Sequence, residues 1–340
     1  MDLLETLKNV EDLETQSTEV HYESTENDGY KSSFASLYKA KSFDSQEKRR
    51  ENLLLSIKVR RYQTVDEKRD LNDLFEIDED VACETDLLEP MEVVTKLPKR
   101  RRRRRKKILK FGDALMMSEW LAEVPSDLEK NWLVKLCPVG IRNMIVAHNG
   151  ITQSFNRKGK LLANHTSHLP GGGPSTPFHK FTVLDCIFAS NCYYVLDVVA
   201  WNSFSLKKSN TEMRFYWIKS KLEETPELLE QSDANPFAFR EVNYFPAELP
   251  LVEEKLSCSF IVGDEEVPLD GVLFYHRDTT YLPCITPLVG WLKPYMVPEM
   301  LHVPVGECFM EKKPKHYVSL AHYLENKHKK RDVPGEKMDC

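Results

Sequence analysis

Residues 111 to 312 of this 340-residue chain predict an α+β domain built on antiparallel sheet. Three observations carry that expectation. The apolar residues fall in short runs bounded by Gly, Pro, Asn, Asp or Ser, as strands joined by turns do. Two stretches carry helix-start chemistry instead. All five tryptophans (120, 132, 201, 217 and 291) lie beyond residue 111, while the first 110 residues hold one cysteine and no tryptophan, so the core starts near Phe111.

In chain order, "GDALMMSEWLAEV" reads as a helix capped by Asp113, and "SDLEKNW" as a short helix with Ser126 as its cap and a glutamate three residues on. "NWLVKLCPVG", "NMIVAHNG", "KFTVLDCIFAS", "CYYVLDVVAW", "MRFYWIKSKL", "KLSCSFIVG", "GVLFYH" and "LVGWLKPYMV" read as strands. The triple glycine 171–173 stands between prolines with no Lys-Ser/Thr after it, which favours a plain loop over a phosphate cradle. Beyond Lys312 the chain turns basic and polar, and 313–340 reads as a mobile tail.

The net charge of −6 hides a segregated pattern. Residues 37–61 hold eight Lys/Arg against three acids, residues 66–92 twelve acids against two basic residues, and residues 99–107 are nine consecutive cations. Such blocks mark partner-binding arms rather than core. Around Leu53, Leu54, Leu55, Ile57 and Val59 the basic residues interleave so that Arg49, Leu53, Ile57 and Arg61 share one helix face. This arm has too few apolar residues for a core of its own and is expected to order against an acidic partner. The eight cysteines show no C-x-x-C pair or metal-like spacing, and no run of eighteen apolar residues or signal segment is present. A soluble intracellular protein without a membrane span, a metal or a cofactor is therefore expected.

The hexapeptide "CPVGIR" (137–142) puts Gly140 and Arg142 where a Lys-x-Asp-Gly-x-Arg nucleotide loop has them, with Cys137 at the lysine place and Val139 at the aspartate place. Downstream, "FTVLDCIFA", "YYVLDVVAWN", "LDGVLFYH" and "LVGWLKP" are similar, in the same order, to the sheet motifs of messenger-RNA capping guanylyltransferases and DNA ligases. That resemblance implies a nucleotidyltransferase-like sheet. The amine nucleophile is missing, and Ile187 holds the place of the glutamate expected after "LDG", while Lys293 is the one lysine left in the last motif. Binding without turnover, with no catalytic residue, is the expectation.

A narrower likeness rests on "MMSEWLAEVPSDLEKNWLVKLCPVGIRNMIVA", "YYVLDVVAW", "RFYWIKSKL", "NPFAF", "DGVLFYH" and "TPLVGWLKPYMV". Together these resemble the snurportins, nuclear import adaptors for spliceosomal small nuclear ribonucleoproteins. The likeness implies a trimethylguanosine-cap-binding domain over 111–312. It implies that Trp291 stacks on the charged methylated base, and that Met117, Ser118 and Trp120 lie against the edge carrying the two extra methyls. Gly140, Ile141 and Arg142 hold the place of a cap-binding segment that has a basic residue where Ile141 stands, and Arg157, beside Lys158, corresponds to a lysine that meets cap phosphates. Residues 28–72 resemble an importin-β-binding arm with Arg49, Arg50, Lys58, Arg60 and Arg61 as contacts. Residues 1–15 resemble a leucine-rich export signal read by an exportin through Leu4, Leu7, Val10 and Leu13. Residues 73–110 are then an acidic and basic linker, and the protein would carry capped U snRNA particles while shuttling between cytoplasm and nucleus.

Every one of these residues also has a plainer reading. Trp132, Trp201 and Trp217 sit in apolar runs as core; Trp120 and Trp291 could be core too, and Arg157 and Lys158 ordinary solvated turn residues. Two other functions stay open: an active nucleotidyltransferase, or a general RNA-binding protein led by the 99–107 run, which could equally be a nuclear localisation signal.

Overall fold

The computed structural model describes residues 45–74, 111–174, 179–257, 259–263 and 265–331. The export-signal residues Leu4, Leu7, Val10 and Leu13, and the 99–107 run, lie outside them. The chain divides into two units, one of residues 1–39 and 55–108, the other of residues 40–54 and 109–340. The described part of the first is the continuation to Leu74 of a helix, α1 (Gln46–Leu74), whose opening turns belong to the second.

The second unit is α+β, and among its described residues are two large sheets and a two-stranded antiparallel ribbon of β11 and β12. Its elements run β1 (Met116–Trp120), α2 (Leu128–Asn131), β2 (Trp132–Pro138), β3 (Ile141–His148), β4 (Ile151–Asn156), β5 (Leu161–His165), β6 (Phe181–Ala189), β7 (Cys192–Trp201), β8 (Phe204–Ser205) and α3 (Thr211–Glu223). After these come β9 (Ala238–Glu241), β10 (Tyr244–Pro246), α4 (Leu249–Leu256), β11 (Ile261–Val262), β12 (Glu265–Glu266), β13 (Leu269–His276) and β14 (Cys284–Leu292). Helices α5 (Val297–Leu301), α6 (Glu307–Met310) and α7 (Leu320–Arg331) follow. One sheet has the order β1-β14-β13-β2-β10 and the other β5-β4-β3-β6-β7-β8 with β9 on β7; all pairs are antiparallel except β1 with β14 and β7 with β9.

Strand β2 is buried along its whole length, and β7 is buried at every position but Val199, because each lies inside its sheet with both faces covered. Leu133, Leu136, Ile145, Leu184, Val195, Leu196, Phe274 and Val289 belong to one continuous core. Trp132 and Trp201 are core residues; Trp217 is half-buried and stacks on Phe204 at 5.5 Å.

Four elements differ from the sequence expectation. "MMSEW" is an edge strand, not a helix, and Asp113 is a left-handed turn residue (φ 53°) rather than a cap. The run "RFYWIKSKL" is the helix α3: Thr211, Arg214, Phe215, Ile218 and Leu222 are its buried positions, a 3.6-residue period that outweighs the β preference of the aromatics, and Asn210 caps it by accepting from the Met213 N–H at 3.0 Å. Helix α2 begins after Asp127, not Ser126, and the Asp127 carboxylate accepts instead from the Trp132 indole N–H and the Asn131 amide, both at 2.9 Å. The segment from 313 was expected to be mobile. There Tyr317 and Leu320 are buried, the Tyr317 hydroxyl and the Leu320 N–H donate to Glu299 at 2.6 and 2.8 Å, and α7 follows. Residues 332–340 lie outside the described ones. Gly171 and Gly172 fill tight space: a Cβ on Gly172 would stand 2.4 Å from the hydroxyls of Thr152 and Ser167.

Candidate functional site

The edge strand β1 gathers most of the candidate residues. It pairs with β14 as Met116↔Cys284, Met117↔Ile285 and Ser118↔Thr286; a register shift then brings Glu119 opposite Gly290 and Trp120 opposite Trp291. The Leu121 N–H donates to the Trp291 carbonyl at 3.1 Å. Trp291 is half-buried and its indole lies across Gly271 of β13, where a Cβ would stand 2.3 and 2.4 Å from two ring carbons. Only glycine leaves that ring its seat. The Lys293 ammonium lies 5.5 Å from the Trp291 ring and pairs with Asp270 at 2.5 Å. On the other side Trp120 meets the edge of Tyr323, from α7, at 5.2 Å. Ser118 is half-buried, and Met117, also half-buried, packs with the small cluster of Leu115, Met144 and Phe155.

The opposite end of β1 is held by a buried network. Asp185 of β6 accepts from Arg142 Nε at 2.9 Å, from Arg142 Nη2 at 2.8 Å and from the Tyr281 hydroxyl at 2.9 Å. Arg142 Nη2 also donates to the Met116 carbonyl at 2.9 Å, and the Tyr281 oxygen accepts from the Met116 N–H at 3.1 Å. Both backbone polar groups of Met116 are thereby fixed. Burial works against the Arg142 charge, but Asp185 outweighs it and raises the guanidinium pKa. Burial, then the Asp185 charge, pushes the Tyr281 hydroxyl up, so it stays a donor. Arg142, read as part of a cap-binding segment, is engaged inside the fold, its side chain 16% exposed.

Gly140 turns β2 into β3, and a Cβ there would clash with Ile187 and with the Phe188 carbonyl at 2.5 and 2.6 Å. Ile141 beside it is 59% exposed. Arg157 and Lys158 are exposed in the turn after β4. The pairing Asn143↔Asn156 sets that turn at the same sheet end as Gly140–Arg142, and the Asp113 N–H donates to the Arg157 carbonyl at 3.1 Å. The candidates fall into two groups, Ser118, Trp120 and Trp291 on the paired strands β1 and β14, and Gly140, Ile141, Arg142 and Arg157 at one end of the second sheet.

At the nucleophile place, Cys137 is buried and its thiol is pushed up to about 12 by burial, so it is protonated at neutral pH and no nucleophile. Two residues earlier Lys135 is also sealed in the core. Its ammonium donates to the Leu196 carbonyl at 2.7 Å and lies 3.8 Å from the centre of the Phe215 ring; burial pulls it down to about 8, against the charges of Glu241 and Asp197. Among the described residues no group of three or more His, Cys, Asp or Glu is placed to hold a metal ion, and no helix is long and apolar enough to cross a membrane.

The arm residues Arg49, Arg50, Lys58, Arg60 and Arg61 all lie on α1. Lys58 and Arg60 are exposed and Arg61 half-buried, whereas Arg49 pairs with Glu119 at 2.6 Å and Arg50 is 3% exposed. Sequence reasoning missed Asp185, Tyr281, Gly271 and Tyr323. The glycine before "VLFY" was the one visible signal among them; the others act through contacts 43 or more residues away that no local pattern encodes.

Among solved structures, the chain matches the ligase domain of M. tuberculosis LigD at 12% identity over 53% of this chain and 59% of that one, with a TM-score of 0.34. It matches a Lig E DNA ligase at 15% identity over 52% of this chain and 67% of that one, with a TM-score of 0.35. Residues 114–294, more than half of the chain, match the model of the Snurportin1 m3G cap-binding domain. This chain belongs to the snurportin m3G cap-binding family.

Proposed function

We propose that the protein is a nuclear import adaptor that binds the trimethylguanosine cap of spliceosomal U snRNAs without turnover and links the particle to importin β through its basic arm. An exportin returns it to the cytoplasm. The observation that carries the cap reading is the family match over a half-buried indole, Trp291, seated beside Trp120 on adjacent strands. A guanine methylated at its ring nitrogen is cationic, so stacking on the indole face gains cation–π attraction beyond burial, about 1–3 kcal/mol per stacked base. Ser118 and Trp120 then face the methylated amino edge, where each buried methyl contributes about 0.8 kcal/mol. Arg157 and Lys158 supply charge for the phosphates, and Arg142 serves by fixing Met116.

Competition among trimethylated, monomethylated and unmethylated dinucleotide caps tests this reading. Preference for the trimethylated cap is the expected result; equal affinity for all three would favour a general RNA binder. The nucleotidyltransferase alternative is tested by incubation with radiolabelled GTP or ATP and manganese. A protonated Cys137 and a sealed Lys135 support the expectation of no covalent adduct. An adduct would overturn it.

A further inference from the structure

The opening turn of α1 makes a dense set of contacts with the end of β1 that cap binding leaves unused. Arg49 donates two parallel bonds to the Glu119 carboxylate, at 2.6 and 2.8 Å. The Gln46 amide donates to the Trp120 carbonyl at 3.0 Å and accepts from the Glu123 N–H at 3.1 Å, while the Glu47 N–H donates to the Glu123 carboxylate at 3.0 Å. Arg50 reaches furthest in. It donates to the carbonyls of Glu123 at 2.8 Å and Pro287 at 3.3 Å and to the Gln46 and Glu47 side chains, and its guanidinium lies 5.4 Å from the centre of the Trp132 ring.

An exposed lysine or arginine pair on a surface contributes little and is easily exchanged for water. This arrangement differs in kind, because a desolvated guanidinium with acceptors from three separate segments, beside a bidentate arginine–carboxylate pair, is a built receptor for two adjacent arginines. It also adds a bond to the backbone of an edge strand, at the Trp120 carbonyl.

We propose that Glu119, Glu123 and the carbonyls of Trp120, Glu123 and Pro287 form an arginine-docking surface on the cap-binding domain, and that it competes with the import receptor for Arg49 and Arg50. The competition rests on the arm reading given above; the docking does not. The receptor has then to open the clasp before it can close on the whole helix. Since the clasp holds β1 directly beside Ser118 and Trp120, cargo site and arm share one strand.

The test uses the full chain, wild type and Glu119→Gln, with hydrogen–deuterium exchange of residues 46–54 and importin β affinity measured on the same samples. Faster exchange over 46–54 in the variant, with receptor binding tighter by about threefold or more, is the result expected from losing one bidentate charged pair. Gln46→Ala, which leaves the sheet intact, gives the same direction, and Arg49→Glu with Glu119→Arg restores protection. Unchanged protection in Glu119→Gln overturns the docking surface. An opened clasp with unchanged receptor affinity overturns the competition. Failure of both chains to bind importin β overturns the arm reading and the competition with it, and the exchange data, which need no receptor, separate that outcome from a failure of the docking.

Discussion

Substituting Gly271 by alanine tests the seat of the Trp291 indole without removing the ring. The added Cβ would stand 2.3 and 2.4 Å from two indole carbons and 2.8 Å from the Leu292 carbonyl oxygen. Ordinary carbon contacts lie at about 3.5–4 Å, so the ring has to move by about 1 Å or more, or β13 and β14 have to part. Overpacking of this kind costs about 1–3 kcal/mol of stability. Losing the stacking geometry costs up to the value of one stacked base, about 1–3 kcal/mol, which is about 5- to 150-fold in affinity. Quenching of tryptophan fluorescence by a trimethylated dinucleotide, beside a thermal melt, reads both quantities. A cycle with Trp291→Ala assigns the cause: if the methyl acts through the indole, it costs almost nothing further once the indole is gone. Wild-type affinity and melting temperature in Gly271→Ala, or fully additive losses in the cycle, would refute the placement of Trp291 as the platform.

Asp185→Asn removes the charge partner of the Arg142 guanidinium and is expected to lower stability by about 3 kcal/mol in urea titration, with weaker cap binding although Asp185 itself is fully buried; an unchanged midpoint would show that the network holds nothing. Lys135 gives a pH signature. Its folded pKa, about 8, lies below the unfolded value of 10.5, so between these values the unfolded state binds more protons and this group's contribution rises with pH. Wild type should therefore gain on Lys135→Met by about 1.4 kcal/mol per pH unit from pH 8 toward 10, checked by denaturation at stepped pH; a flat difference would be inconsistent with a depressed ammonium. Arg157→Ala is expected to weaken trimethylated and monomethylated caps equally and to flatten the salt dependence, whereas a change in their ratio would move Arg157 from the phosphates to the base.

The strand runs were legible because β2, β7, β13 and β14 carry apolar residues with turn chemistry at their ends. "MMSEW" was not, because β1 pairs only through the distant β14, in parallel, and five residues are too few to separate a period of two from one of 3.6. The helix α3 was misread for a different reason: its aromatics have strand preferences, and the buried Arg214, held by Asp197 at 2.8 and 3.0 Å, hides the apolar stripe. In the candidate site the indoles could be named from the resemblance, but the engagement of Arg142 could not. An arginine near a glycine turn gives no local sign of a carboxylate 43 positions away.

The ring of Tyr323 on Trp120 has a practical corollary. The family match stops at residue 294, so a fragment trimmed to it keeps both candidate indoles and yet drops the aromatic that leans on one of them. Affinities gathered on such a shortened version would describe a Trp120 ring stripped of its aromatic neighbour.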